Sequence, residues 1–370
     1  MGVIIPAVYS GRKNMYLSGG FSMKIVVLAG GISPERDVSL CSASLISNAL
    51  LSKGHEVAFV DVYEGVPDNA DLTALFAKPD SGKTYSYTIP ETEPDLPALI
   101  ASHGGRKELI GPGVLQLCKM ADAVFIGCHG GMGENGRLQA VLDCIDVPYT
   151  GSGYLGCALA MDKHLTKTLL LQFRIPTAKW VIYDPSENTI EDIKRTIGIP
   201  CVVKPIGCGS SCGVSIVKDE SEWDAAISYS TKYEKTCLIE QMIKGREFSI
   251  GVLDGKALPI IEIIPKQGFY DYKNKYQANA TEEICPANLT EEQTKEAQDL
   301  AVAVHHALNL GNYSRVDFIL SEEDGHFYCL EANNLPGMTP NSLIPQEARA
   351  IGISYEDLCE KLVLSASRKG

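Results

Sequence analysis

The sequence predicts an α/β protein with more than one domain. Three observations carry this. Apolar, strand-like runs alternate with helix-like segments along the chain. Glycine-rich turns follow several of those runs. The 370 residues, 45% of them hydrophobic, are enough to bury two or three cores.

The first strand is Lys24–Leu28. Gly30-Gly31 then turns the chain, and Ser33-Pro34 reads as a helix entry, with Ser as cap and Pro in the first turn. Ala43, Ile46 and Leu50 share one face of that helix. His55–Val62 is the next strand, and Ala123–Gly127 another, ending in the loop CHGGMGENG. Residues 64–112 hold few periodic signals and many Pro, Asp, Gly and Ser, and read as connecting structure. After Tyr149-Thr150-Gly151 a helix is expected over Ala158–Leu171, then strands around Lys179–Tyr183 and Cys201–Lys204. Gly268–Pro286 is polar, aromatic and weakly periodic, the mark of a lid or binding loop, so residues 265–285 are the candidate lid. Strands return at Ser314–Leu320 and Phe327–Glu331.

Composition excludes several classes. No stretch approaches the roughly 20 apolar residues that span a bilayer. The formal net charge is −13 and no basic cluster exists, so neither nucleic acid nor an anionic membrane is an expected partner. The 12 cysteines are scattered without a CxxC pair, which suits free thiols in a reducing cytoplasm. Residues 1–22 contain a short apolar run with no basic stretch before it and no small-residue cleavage site after it. They read as a leader, tag or alternative start.

Two segments carry chemistry. Lys204-Pro-Ile-Gly-Cys-Gly-Ser-Ser-Cys-Gly213 takes a strand that ends in lysine into a Gly/Ser loop. Small residues let backbone N–H groups approach phosphate oxygens, and the lysine adds positive charge. The loop lacks the Gly-Lys-Ser/Thr ending of a Walker A motif and the glycine spacing of a dinucleotide fingerprint; alone, it reads equally well as a tight turn. In the second segment, Arg315 and Asp317 share one strand face, as do Glu331 and Asn333. Charges beside such apolar strands are costly unless matched. Two carboxylates and an amide oxygen are hard donors of the kind Mg²⁺ takes alongside substrate phosphates. Lys163 lies on a helix in Ala-Met-Asp-Lys-His, and Glu240 and Glu247 flank Ile239–Phe248. Taken singly, each glutamate reads as a surface residue, though both could serve an adenosine.

In order, the stretches AGGISPERDVSL, CHGGMGENGRLQ, PYTGSG, ALAMDK, KPIGCGSSCGVS, KGREFS, FYDYKNKY, SRVDF and LEANNLPGMTPNSL resemble those of D-alanine–D-alanine ligases, from Met23 onward. The resemblance implies a three-domain ATP-grasp architecture, α+β in its ATP-binding part. It would have a Rossmann-like N-terminal domain at 23–148, a central subdomain at 149–245 and a C-terminal subdomain at 246–370. It implies ATP as cosubstrate, held by Lys163, Lys204, Gly209, Ser211, Glu240, Ile243 and Glu247. Two Mg²⁺ ions, with Mn²⁺ as a substitute, would sit on Asp317, Glu331 and Asn333. Glu35, Ser210 and Tyr276 look like a hydrogen-bonded trio near the first substrate, and Lys275 would reach the γ-phosphate from the lid. His129 looks like a histidine near the first substrate. Arg315, the Gly337 N–H, Ser342 and Leu343 look like the groups around the reacting carboxyl and the second amino acid. A cytoplasmic enzyme of peptidoglycan precursor synthesis, as a homodimer, is the implied setting.

The sequence departs from the family pattern at Ile206, Gly207 and Cys208, where larger polar residues are usual, and at Pro340-Asn341, before the matching serine. The activity implied is ligation of two D-alanines through an acyl phosphate. Lys275-Tyr276 resembles the dipeptide-forming members rather than the ester-forming ones, and a second substrate such as D-serine or D-lactate is the alternative. A non-catalytic regulator would be expected to lack Lys204, Asp317, Glu331 or Asn333, and all four are present.

Overall fold

Ile25 through Ala29 are completely buried. A strand apolar on both faces needs cover on both, which a parallel sheet with crossover helices supplies. In the computed structural model, β1 (Lys24–Ala29) lies between β2 (Glu56–Asp61) and β3 (Ala123–Ile126), parallel to both. The helix Arg36–Ser52 makes the crossover from β1 to β2 and buries Ala43, Ile46 and Leu50, the face expected. It starts later than Ser33-Pro34 suggests. Ser33 Oγ accepts from the Glu35 N–H at 3.1 Å and Ser33 O from the Arg36 N–H at 3.0 Å, so Ser33 and Pro34 form a turn ahead of the first helical residue.

The structure describes residues 22–90, 92–209, 212–265 and 281–366. The expected leader up to Phe21, Ser210, Ser211, Lys275, Tyr276 and most of the candidate lid lie outside them. Among the described residues, no helix is long and apolar enough to cross a membrane, and the cysteines are free thiols.

Four antiparallel strands, β4 (Trp180–Tyr183), β5 (Cys201–Pro205), β6 (Ser215–Val217) and β7 (Cys237–Gln241), form a second sheet in the order β4-β7-β5-β6. The third sheet holds β8 (Gly245–Leu253), β9 (Lys256–Ala257), β10 (Ile261–Pro265), β11 (Thr281–Ile284), β12 (Tyr313–Ser321) and β13 (Phe327–Asn333). Its order is β11-β10-β8-β12-β13, with β9 beside β8. The helix Glu291–Ala307 covers it, burying Ala297, Ala301 and Val304 against Phe248, Val316 and Phe318. The last helix, Tyr355–Ala366, returns to the first sheet, where Leu358, Leu362 and Val363 join the core of β1. Lys53 Nζ anchors it, 2.7 Å from Asp357 and 3.0 Å from Glu360.

The helix expected over Ala158–Leu171 is two helices, Tyr154–Met161 and Lys163–Gln172. Asp162 divides them. Its backbone is extended, and its carboxylate accepts from the Leu165 N–H at 2.9 Å, capping the second helix. Within 64–112 the structure also has the short helix Leu96–Ser102, whose apolar Leu96, Leu99 and Ile100 share one half-buried face.

Candidate active site

The turn after β1 sets the first wall. Gly30 and Gly31 both have positive φ, and a β-carbon on Gly30 would overlap Asp61 Oδ2. Asp61, at the end of β2, fixes the turn by accepting from the Gly31 N–H at 3.3 Å and by pairing with Arg36 at 2.6 Å. This places Glu35 against the loop that follows β3, where a β-carbon on Gly130 would lie 3.0 Å from Glu35 Oε2. His129, in that loop, is nine-tenths buried, with Nδ1 3.8 Å from Glu134 Oε1. Burial disfavours the imidazolium, but Glu134 and Glu35 outweigh it and raise the His129 pKa above its ordinary value.

Asp162 sets the second wall by starting the helix at Lys163. The ammonium of Lys163 turns back on the glycine loop and donates to Cys208 O at 2.5 Å. Its pKa is lowered, first by burial and then, against the pull of Glu331, by neighbouring Lys204. Lys204, at the end of β5, lies 2.5 Å from Glu240 Oε1 on β7, and Lys167 lies 2.7 Å from Glu240 Oε2. Glu240 is thus a buried carboxylate between two ammonium groups, not a surface glutamate. Burial would raise its pKa, but Lys204 and Lys167 hold it below the ordinary value.

β12 and β13 form the third wall. Their register sets Arg315 opposite Asn333 and Asp317 opposite Glu331. Asp317 accepts from Arg315, from Ser249 Oγ at 2.7 Å and from Asn333 Nδ2 at 3.1 Å. Two of the charges that the sequence places beside apolar strands, Arg315 and Asp317, are therefore matched to one another. Among the described residues, no three His, Cys, Asp or Glu side chains converge to hold a metal. Asp317, Glu331 and Asn333 fit Mg²⁺ shared with phosphate oxygens rather than an all-protein cage.

The segment after β13 closes the site. Ser342 precedes the helix Leu343–Ala350, and its hydroxyl bonds the Thr339 hydroxyl at 2.9 Å and accepts from the Thr339 N–H at 3.0 Å. A β-carbon on Gly337 would lie 3.0 Å from Ser342 Oγ, so this turn is tight.

A cavity of about 310 Å³ opens between these walls. It brings together Glu35, His129, Lys163, Gly209, Arg315, Glu331, Asn333, Gly337, Ser342 and Leu343. Asp317 stands behind Arg315 and Asn333, while Lys204, Glu240, Ile243 and Glu247 lie away from the cavity wall. Ile243 follows β7 and Glu247 lies in β8.

Sequence reasoning missed three residues. Glu134 faces His129 from within the loop CHGGMGENG. Lys167, one helical turn after Lys163, is 1% exposed and also donates to Thr177 Oγ1 at 2.7 Å, next to β13. That spacing of four on a helix was the available signal. Ser249 reaches Asp317 from the neighbouring strand, which no local pattern indicates.

A family model described as the D-ala D-ala ligase N-terminus matches residues 24–152, and one described as the C-terminus matches 169–364. The chain is 42% identical to a D-alanine–D-alanine ligase of Pediococcus pentosaceus, covering 94% of this chain and 98% of the relative. It is 40% identical to one of Lacticaseibacillus casei, covering 92% and 95%. Among solved structures, the Bacillus anthracis ligase complexed with ATP superposes with a TM-score of 0.72 at 27% identity, covering 94% of this chain and 98% of that one. The fold, the ordered walls of the cavity and these matches place the chain in the D-alanine–D-alanine ligase family.

Proposed function

We propose that the protein joins two D-alanine molecules with ATP, giving D-alanyl-D-alanine, ADP and phosphate. The observation that carries this is the convergence on one cavity of a lysine at a glycine loop, the β12–β13 carboxylate and amide, and the Glu35–His129 pair. A carboxylate is a poor electrophile. ATP makes it reactive by forming an acyl phosphate, a task of positioning and charge neutralisation.

The residues divide the work. The Glu35 carboxylate suits the ammonium of the first D-alanine and the protonated His129 its carboxylate. Lys163, Lys204 and Gly209 hold the phosphates, with Glu240, Ile243 and Glu247 around the adenosine. Arg315 and the Gly337 N–H steady the oxyanion formed when the second amine attacks, while Ser342 and Leu343 seat the second amino acid. Asp317, Glu331 and Asn333 would hold Mg²⁺, which neutralises phosphate charge when bound. Lys275, Tyr276, Ser210 and Ser211 lie outside the described residues, and the family resemblance supports their roles at the lid and loop. The three sheets would be the bodies of the domains at 23–148, 149–245 and 246–370. The family resemblance supports a cytoplasmic location and a homodimer.

Isotope transfer tests the route. In this reaction a carboxylate oxygen attacks the γ-phosphorus, and the same C–O bond breaks when the amine attacks the acyl carbon. D-alanine labelled with ¹⁸O in its carboxylate should therefore release phosphate carrying one ¹⁸O. Unlabelled phosphate formed alongside dipeptide would contradict the acyl phosphate.

A further inference from the structure

The peptide groups that open the glycine loop are gripped from two sides. The N–H groups of Ile206 and Gly207 donate to the two oxygens of Glu234, at 2.9 and 2.8 Å. From the other side, Lys163 Nζ donates to the carbonyls of Cys208 at 2.5 Å and Ile206 at 3.4 Å. A carboxylate takes the N–H groups and an ammonium takes the C=O groups, so the peptide planes have one favoured orientation.

Glu234 comes from the connection between the helix Trp223–Ser230 and β7 and is not part of the cavity wall, whereas Cys208 and Gly209 are. It therefore reaches the loop from behind. A β-carbon on Gly207 would lie 2.8 Å from Glu234 Oε1, so glycine is what admits the carboxylate. The neighbouring Tyr233 packs at the far end of the loop, where a β-carbon on Gly213 would lie 2.9 Å from its ring. The N–H groups of Ile206 and Gly207 thus serve Glu234, which leaves the later part of the loop for phosphate.

We propose that Glu234 is a positioning residue for ATP. By binding the first two N–H groups of the loop, it holds Cys208 and Gly209 against the cavity, so that ATP binding does not have to order them. This rests on the reading of the loop as the phosphate-binding element. The competing idea, that the carboxylate occupies a phosphate position and ATP displaces it, predicts the opposite sign.

The test is calorimetric binding of AMP-PNP and of adenosine to the whole protein with Mg²⁺, for wild type, Glu234→Gln and Glu234→Ala. Gln keeps the shape and one acceptor oxygen, so it remains informative should the alanine variant fold poorly. We expect AMP-PNP binding to weaken about tenfold in Glu234→Ala and less in Glu234→Gln, in line with lost charge-assisted hydrogen bonds. Adenosine binding, the KM for D-alanine and the melting temperature of Glu234→Gln should stay unchanged, while the KM for ATP rises. Unchanged or tighter AMP-PNP binding in both variants, with a wild type that binds it, overturns the role of Glu234 alone. A wild type that does not bind AMP-PNP overturns the phosphate-loop reading and this inference with it.

Discussion

Arg315 and Asp317, two residues apart on β12, form a two-pronged ion pair, with Nε 2.9 Å from Oδ1 and Nη2 2.8 Å from Oδ2. The proposed substrate arginine and the proposed metal ligand are each other's counter-ion, so a change to either reaches both. Asp317→Asn should lower stability by about 3 kcal/mol, because it replaces the charged half of a two-pronged, mostly buried ion pair by a neutral amide. Arg315→Met/Asp317→Asn should recover part of that stability and none of the turnover. Urea unfolding together with phosphate release checks both; an unchanged midpoint in Asp317→Asn would contradict the pairing.

Glu240 should prove more important to stability than an adenosine contact would be. Glu240→Gln leaves Lys167 and Lys204 buried without their carboxylate, at an expected cost of about 3–5 kcal/mol. The folded pKa of Glu240 lies below its ordinary 4.5, so its contribution is present above pH 4.5 and is lost as pH falls through the folded value. Wild type should therefore lose stability more steeply than Glu240→Gln on acidification below that pH. Parallel acid-unfolding curves would count against the buried pair.

His129 works in the opposite direction. Its folded pKa is raised above the ordinary 6.5, so the native state holds the proton more tightly. That stabilisation is complete below pH 6.5 and is lost as pH rises through the folded value. His129→Gln should flatten the stability profile over this window. An NMR titration of the imidazole at or below 6.5 would remove the basis for this prediction.

Gly251 and Glu347 form a matched pair behind β12. Glu347 is completely buried, Oε2 accepts from the Gly251 N–H at 2.7 Å, and Oε1 has no hydrogen-bond partner among the described residues. A β-carbon on Gly251 would overlap Oε2. Gly251→Ala should cost several kcal/mol, about the cost of overpacking with loss of a buried hydrogen bond. In the Glu347→Ala background the same substitution should cost clearly less, since the obstructing atom is gone. Simple additivity in urea midpoints would show that the clash relaxes in another way.

The strands β1 to β5, β12 and β13 were legible because their apolar runs are bounded by glycine or polar residues, with β12 and β13 extending the expected Ser314–Leu320 and Phe327–Glu331 by one or two residues at their ends; β6 to β11 were not expected from the sequence. The division at Asp162 was not, because Ala158, Leu165 and Leu169 continue a helical pattern while one capping carboxylate interrupts the backbone. Residues on a shared strand face were legible from alternation, as with Arg315 and Asp317. Contacts made between elements were not: Lys167 with Glu240, Ser249 with Asp317 and Glu234 with Gly207 each join segments distant in sequence.

The central claim is that this cavity ligates D-alanine. It is tested most directly by incubating the protein with ATP, Mg²⁺ and single amino acids, and following phosphate and product masses. D-alanine should give D-alanyl-D-alanine with one ADP and one phosphate per dipeptide, and L-alanine should give none. Equal turnover with L-alanine, or ATP hydrolysis indifferent to any amino acid, would contradict the account.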